Sequence, residues 1–273
     1  MPRFIVFTDL DGTLLDQTHS YEAARPALKA LQEQGVPLVL VSSKTRAEIE
    51  PLRSRMGHRG PFIVENGGAL FIPQGWPGDG AETSSDADYE VTVFGTTYPI
   101  IRAALNEMSR SLRVTLKGFG DMTVEDLVLL SGLSPDEAQL AMRREYDEPF
   151  RVSGGHVTLD DLRKAAARHG LTCTKGGGFY HLLGPTDKGK ACRYLIDSHP
   201  RSRRPESPKT VGIGDTLNDR SMLAEVDIPI LVQRPDGSYD PAIDLPALRR
   251  AAGIGPAGWN AAVLKLLDGE RSR

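Results

Sequence analysis

The sequence predicts an α/β protein, a doubly wound parallel sheet with helices on both faces, interrupted by a smaller inserted α+β domain. Three observations predict it. Near both ends of the chain, short runs of Val, Ile and Leu alternate with stretches whose apolar residues recur at helical spacing, the order that builds a parallel sheet. Between about residues 97 and 185 that order gives way to strands and helices in α+β sequence. Two of the apolar runs, Phe4 to Thr8 and Val211 to Gly214, lead directly into carboxylates, and open α/β sheets carry their chemistry beyond the carboxyl ends of the strands. A chain of 273 residues suits one such domain with an insert. The expected division is 1–96 for the first part of the core, 97–185 for the insert and 186–273 for the second part of the core.

Composition narrows the partners. The 33 basic and 36 acidic side chains leave a formal net charge of -3, which is no electrostatic footprint for nucleic acid or an anionic membrane. With 40% hydrophobic residues the chain can bury a sizeable core. The two cysteines, Cys173 and Cys192, form neither a metal spacing nor a disulfide framework, which points to a reducing compartment. No signal-like segment precedes the first strand, and no run of about 18 apolar residues occurs. A cytoplasmic protein acting on a small molecule is expected, with no nucleic acid and no membrane.

The first strand is a run of apolar, β-favouring residues driven into Asp9-Leu10-Asp11-Gly12-Thr13. Gly12 lets the backbone turn sharply enough to aim both carboxylates at one point, where one can attack while the other handles protons. Such residues also suit a helix cap or an Asx-turn, so partners elsewhere decide. Tyr21 to Gln34 places Ala24, Leu28 and Leu31 at helical spacing, and Gly35 stops that helix. Val36 to Val41 is a second buried strand, followed by Ser42, Ser43, Lys44, Thr45 and Arg46 just before a charged helix over about 45–56. Hydroxyls and cations at a helix start suit an anion, although Ser and Thr there are also ordinary caps. Pro61 to Glu65 is a third strand. After the turn Asn66-Gly67-Gly68, Ala69 to Ile72 and Tyr89 to Phe94 form a hairpin around a polar loop over 73–88.

The insert reads as a helix over Ile100 to Leu112, a strand over Val114 to Leu116, and helices over Val124 to Leu130 and Pro135 to Arg144, the latter capped by Ser134. A strand over Pro149 to Val152, a helix over Leu159 to His169 and a Gly-linked hairpin of Leu171 to Lys175 with Phe179 to Leu183 follow. The core resumes at Thr186, which opens a helix to Asp197. Lys188 near its start runs against the dipole preference, as either an anion ligand or a solvated side chain. Ser198 to Pro208 reads as a surface loop. Beyond the next strand, Asp215, Asn218 and Asp219 fall on a turn and the first helical turn, where two carboxylates can face one hard divalent ion. Ile228 to Val232 is a last strand and Trp259 to Leu267 a closing helix, with six terminal residues as a frayed tail.

Asp9-Leu-Asp11-Gly-Thr13, Ser42 at the end of the second strand, Lys188, and Gly214-Asp215-x-x-Asn218-Asp219 stand in the order of the four motifs of the haloacid dehalogenase-like phosphohydrolases, which this chain resembles. The resemblance implies a Rossmann-like core with an α+β cap of type IIB inserted between the second and third motifs. It implies Asp9 as nucleophile, Asp11 as acid/base, and Ser42 and Lys188 on the transferring oxygens. It also implies Mg2+ held by Asp9, the Asp11 backbone carbonyl and Asp215, with Asp219 close by. A carboxylate two residues after the nucleophile separates hydrolases of this superfamily from its dehalogenases, so a phosphatase is expected.

Over nearly the whole chain, Val41-Ser-Ser-Lys-Thr-Arg46, Val64-Glu-Asn-Gly-Gly68, Arg144-Glu-Tyr-Asp-Glu148 and Gly176-Gly-Gly-Phe-Tyr-His181 resemble the mannosyl-3-phosphoglycerate phosphatases. That resemblance implies release of phosphate from mannosyl-3-phosphoglycerate to give mannosylglycerate, a compatible solute. Phosphoglycerate presents a carboxylate and the sugar presents hydroxyls, for which Ser43, Lys44, Arg46, Asn66, Gly67, Arg144 and His181 are the candidate binding residues. Gly178 stands where the resemblance leads one to expect a basic residue, so a glucosyl ester is the alternative. A phosphohexomutase, which would need a bisphosphorylated activator, and a non-catalytic sugar-phosphate sensor, which would not need Asp11, are further alternatives.

Overall fold

The computed structural model describes residues 4–76, 89–176, 178–198 and 208–271. The surface loops expected over 73–88 and 198–208 lie mostly outside the described residues. In chain order the strands are β1 (Phe4–Thr8), β2 (Leu38–Val41), β3 (Phe62–Val64), β4 (Ala69–Pro73), β5 (Tyr89–Val93), β6 (Thr115–Gly118), β7 (Asp147–Gly154), β8 (Thr172–Gly176), β9 (Phe179–Leu183), β10 (Lys209–Gly214), β11 (Ile228–Gln233) and β12 (Arg249–Ile254). The helices are α1 (Arg25–Glu33), α2 (Arg46–Met56), α3 (Tyr98–Leu112), α4 (Val124–Ser131), α5 (Pro135–Ala141), α6 (Leu159–Ala167), α7 (Lys188–Ser198), α8 (Arg220–Ala224) and α9 (Gly255–Arg271).

The larger sheet runs β12-β11-β10-β1-β2-β3-β4-β5. Every pair from β12 to β3 is parallel, and β4 and β5 add an antiparallel edge. Its central strands are apolar on both faces because both faces are covered. On β1 and β2 the period of two sends Phe4, Val6, Leu38 and Leu40 to one side, against α1, α2 and Trp259 of α9. Ile5, Phe7, Val39 and Val41 go to the other, against Leu195 of α7 and Met222 of α8. The parallel α/β core is therefore doubly wound. Thr45 caps α2 through a reciprocal bond with Glu48, and Gly57 ends the helix in the left-handed region at φ 63°.

Three local readings change. The strand β12 was not anticipated, because Arg-Arg-Ala-Ala-Gly-Ile has little β preference of its own, and its parallel ladder with β11 supplies the pairing. The helix expected to begin at the turn after β10 is short, α8 running only from Arg220 to Ala224. The closing helix α9 is longer than Trp259 to Leu267 and takes in most of the expected terminal tail.

Between β5 and α7 the chain builds a second, antiparallel sheet in the order β6-β7-β9-β8. Ile101 and Leu105 of α3 and Leu162 of α6 pack on it around Phe150. A separate cluster joins α4 and α5 to Phe119 and Phe179. The two crossings between sheets run in contact, since a Cβ on Gly184 would lie 2.6 Å from the Thr96 nitrogen. Among the described residues no helix is long and apolar enough to cross a membrane.

Candidate active site

Three neighbouring parallel strands deliver the motifs. As β1 lies between β10 and β2, Asp9, Asp215 and Ser42 leave the sheet side by side at its carboxyl edge. Asp9, Asp215 and Asp219 are buried, with one oxygen from each lying within 4.8 Å of the others. Lys188, at the start of α7, donates from Nζ to Asp9 Oδ1 at 2.6 Å and to Asp219 Oδ1 at 2.7 Å. Burial works against that ammonium, but the Asp219 and Asp9 carboxylates beside it hold it charged. Asp219 also accepts the Asp215 and Thr216 backbone N–H groups at 3.0 and 3.2 Å, so it braces the turn as well as facing the cluster. Thr13 Oγ1 donates to Asp215 Oδ1 at 3.2 Å.

Three carboxylates around one ammonium leave an excess of negative charge. Burial and the neighbouring Asp219 push the Asp9 carboxyl up to about 7, and burial with Asp9 pushes Asp215 up to about 8. A divalent cation answers that repulsion, and an all-oxygen donor set of this kind fits Mg2+. Gly12 sits at φ 80°, and a Cβ on it would come 2.5 Å from Asp215 Oδ2. The turn between the first two aspartates thus needs glycine both for its backbone and for the approach of Asp215.

The cluster opens into a cavity of about 850 Å³ between the two sheets, lined on the core side by Asp9, Asp11, Lys44 and Asp215 and on the other by Phe119, Arg144, Phe179 and His181. The Asp11 side chain is 42% exposed there, and Lys44 Nζ lies 3.1 Å from its Oδ1 and 3.6 Å from Glu48 Oε1. Burial opposes the Lys44 charge; Asp11 and Glu48 sustain it. Phe119 and Phe179 meet edge to face at 5.0 Å and offer an aromatic surface. Contacts across the junction close the insert over the core. His19 Nδ1 lies 3.0 Å from Glu137 Oε1, Thr45 Oγ1 donates to Leu140 O at 3.0 Å, and Arg144 Nη1 donates to Ser43 O at 2.8 Å.

Of the expected binding residues, Ser43, Lys44, Arg144 and His181 line the cavity. Arg46 does not. As the first residue of α2 it turns outward, pairing with Glu50 at 2.7 Å and lying over the rings of Phe71 and Tyr89. Ser42 is fully buried, and its Oγ accepts the Lys44 N–H at 3.1 Å. Asn66 and Gly67 lie behind the cavity wall. Asn66 donates to Asp147 Oδ2 at 2.9 Å and accepts from Asn218 at 3.0 Å. A Cβ on Gly67 would fall 2.1 Å from Asp187 O, so this glycine lets the backbone before Lys188 approach. Gly178 occupies the hairpin turn at φ 83° with open space around it.

Glu65 and Asp147 lie in segments that carry the resemblance, but the sequence assigns neither a role. Both are fully buried at the junction of the sheets. Glu65 accepts three backbone N–H groups, those of Glu145, Tyr146 and Asp147. Its burial pushes its carboxyl up to about 8, while Arg144 and the Tyr146 and Glu145 N–H groups pull it back. The signal that could have found it is an acidic residue placed just before Asn-Gly at a strand end, with no apolar reason to be there.

Residues 6–76 match the family model of the haloacid dehalogenase-like hydrolases. A glucosyl-3-phosphoglycerate/mannosyl-3-phosphoglycerate phosphatase of Methanococcoides burtonii is 44% identical over 267 residues, 97% of each chain. The chain belongs to the haloacid dehalogenase-like hydrolases. Within that family, a mannosyl-3-phosphoglycerate phosphatase of Pyrococcus furiosus is 35% identical over 84% of this chain and 90% of its own length. Among solved structures, a subclass IIB sugar phosphatase of the same superfamily superposes with a TM-score of 0.64 at 15% identity, covering 97% of this chain and 98% of its own. A Thermoplasma acidophilum protein does so at 0.66 and 19%, covering 98% and 99%. These likenesses bear on the fold, in which the second sheet takes the place of the subclass IIB cap.

Proposed function

We propose that this protein is a Mg2+-dependent phosphatase that releases phosphate from mannosyl-3-phosphoglycerate and glucosyl-3-phosphoglycerate. The observation that carries the reading is the buried Asp9–Lys188–Asp219–Asp215 cluster opening on a cavity whose far wall carries Arg144 and His181. The names of the relatives at 44% and 40% identity, which join both sugars, support a pocket indifferent to the stereochemistry of one hydroxyl.

Asp9, Asp215 and the Asp11 backbone carbonyl would hold Mg2+, which supplies positive charge to a phosphoryl group that an anionic carboxylate would otherwise repel. Asp9 attacks phosphorus in line and forms an aspartyl-phosphate, dividing one slow displacement into two. Asp11, exposed at the cavity and steadied by Lys44, protonates the departing alkoxide and then takes a proton from the water that opens the acyl phosphate. Lys188 and Ser42 hold the transferring oxygens. Arg144, with Lys44, meets the glycerate carboxylate and sugar hydroxyls beside the His181 ring, whose nitrogens are held by Asp147 and Gly176, and the closed cap keeps bulk water out. Phosphate release across a panel of phosphomonoesters that includes both glycosylated phosphoglycerates tests the reading, and preference for an unrelated phosphomonoester would overturn it.

Two further results are expected. Gly12→Ala strains a left-handed turn and crowds Asp215, a cost of about 1–3 kcal/mol. The half-saturating Mg2+ concentration should rise roughly 5- to 100-fold, as read from a magnesium titration of activity. Arg144→Ala removes a charge-assisted contact worth about 1.5–3 kcal/mol, so kcat/KM on the glycosylated phosphoglycerates should fall roughly ten- to a hundredfold. Its loss on p-nitrophenyl phosphate should be much smaller, and equal losses would make Arg144 structural.

A further inference from the structure

We infer that Glu65 is a positioning residue for substrate selection, through which the core grips the cap segment that carries Arg144 and steers His181. The inference rests on the reading of Arg144 and His181 as substrate contacts. Glu65, Asn66 and Gly67 follow β3 in consecutive left-handed conformations, at φ 48°, 58° and 93°. Glycine would suit Glu65's backbone better, and an apolar side chain would suit its complete burial. Neither could do what this carboxylate does. Oε1 accepts the Glu145 N–H at 3.0 Å, and Oε2 accepts those of Tyr146 at 2.9 Å and Asp147 at 2.8 Å. Arg144 Nη1 lies 3.9 Å from Oε2.

The grip reaches both recognition groups. Arg144, one residue before the gripped amides, is only 5% exposed in its side chain. Its Nη1 is spent on Ser43 O, while its buried Nε has no hydrogen-bond partner. A guanidinium fixed at one end, on a residue that lines the cavity, keeps donors for an acceptor on a ligand. On the other side, Asn66 donates to Asp147 Oδ2, which accepts from His181 Nδ1 at 2.8 Å. The turn at 65–66 thus orients Arg144 directly and His181 through Asp147. It lines no part of the cavity itself. A substrate small enough to be handled by Asp9, Asp11 and Lys188 does not need this alignment; one that fills the cavity does.

The test compares wild type, Glu65→Gln, Arg144→Ala and the double variant on the better glycosylated phosphoglycerate and on p-nitrophenyl phosphate. In Glu65→Gln an NH2 replaces one acceptor and faces a backbone N–H. The expected result is a loss of roughly 10- to 100-fold in kcat/KM on the large substrate, carried mostly by KM, and a loss at least about ten times smaller on p-nitrophenyl phosphate. Adding Arg144→Ala should then cost little more, because both changes remove the same alignment. Equal losses on both substrates, or losses that multiply in the double variant, would overturn the inference. Hydrogen exchange at the Glu145, Tyr146 and Asp147 amides should accelerate in Glu65→Gln, and unchanged exchange there would also overturn it. Should wild type hydrolyse neither glycosylated phosphoglycerate, the proposed function fails. The inference is then judged on the exchange and on the panel's best large substrate. If Glu65→Gln does not fold, Asn66→Gly, whose backbone suits the turn, carries the same comparison through His181.

Discussion

Asp9→Asn is expected to lower turnover by on the order of 10⁴-fold or more while the protein stays folded. The substitution removes the proposed nucleophile and changes almost no volume at the end of β1. Its amide oxygen can still accept from Lys188, which now sits 2.6 Å from Asp9 Oδ1, so the pairing that holds α7 against the sheet survives. Circular dichroism and a thermal melt should therefore match wild type, and steady-state phosphate release should vanish. Retained turnover in a carefully purified variant would remove Asp9 from the role of nucleophile.

EDTA should abolish activity, and Mg2+ should restore it in full. The reason lies in the charge count at the carboxyl edge. Asp9, Asp215 and Asp219 crowd one ammonium, and a phosphomonoester brings further negative charge to the same place. Without a divalent ion the carboxylates repel the substrate and one another; with it they can bind and attack. Ca2+ should inhibit, because it takes more ligands in a looser geometry and draws a second carboxylate oxygen inward, away from in-line attack. Phosphate release measured against added Mg2+ and Ca2+ checks this, and full activity with Ca2+ alone would count against the ligand set.

Much of this site is legible along the chain because its signals are local. Asp9 and Asp11 follow an apolar strand and precede a glycine; Asp215 and Asp219 follow β10 and its terminal Gly214, with Gly12 and Gly214 both packed against the carboxylates they serve. Lys188 stands out by opening a helix with the wrong charge. The capping box at Thr45 and Glu48 likewise follows from residues three apart. What was misread depends on direction and distance. Arg46 and Arg144 look alike as cations beside motifs, yet one faces Glu50 and the other the cavity. Asn66 and Gly67 stand beside the site in sequence terms but act from behind its wall, where Glu65 and Asp147, far apart in the chain, meet.

The sequence by itself determined the doubly wound core, the place of the insert and the carboxylates that gather around one lysine. Each rests on a strand period, a turn residue or a fixed spacing, all of which the chain carries within a few residues. Only the tertiary structure decided which cations reach the cavity and what holds them there. On α2, the phase of the helix turns Arg46 away from the sheet edge, and nothing within the segment says where that edge lies. Arg144 enters the cavity because the cap closes on the core through Glu65, Asn66 and Ser43, residues about 80 to 100 positions away. Those bonds join buried polar groups that find partners only when the two sheets meet, so no local pattern announces them.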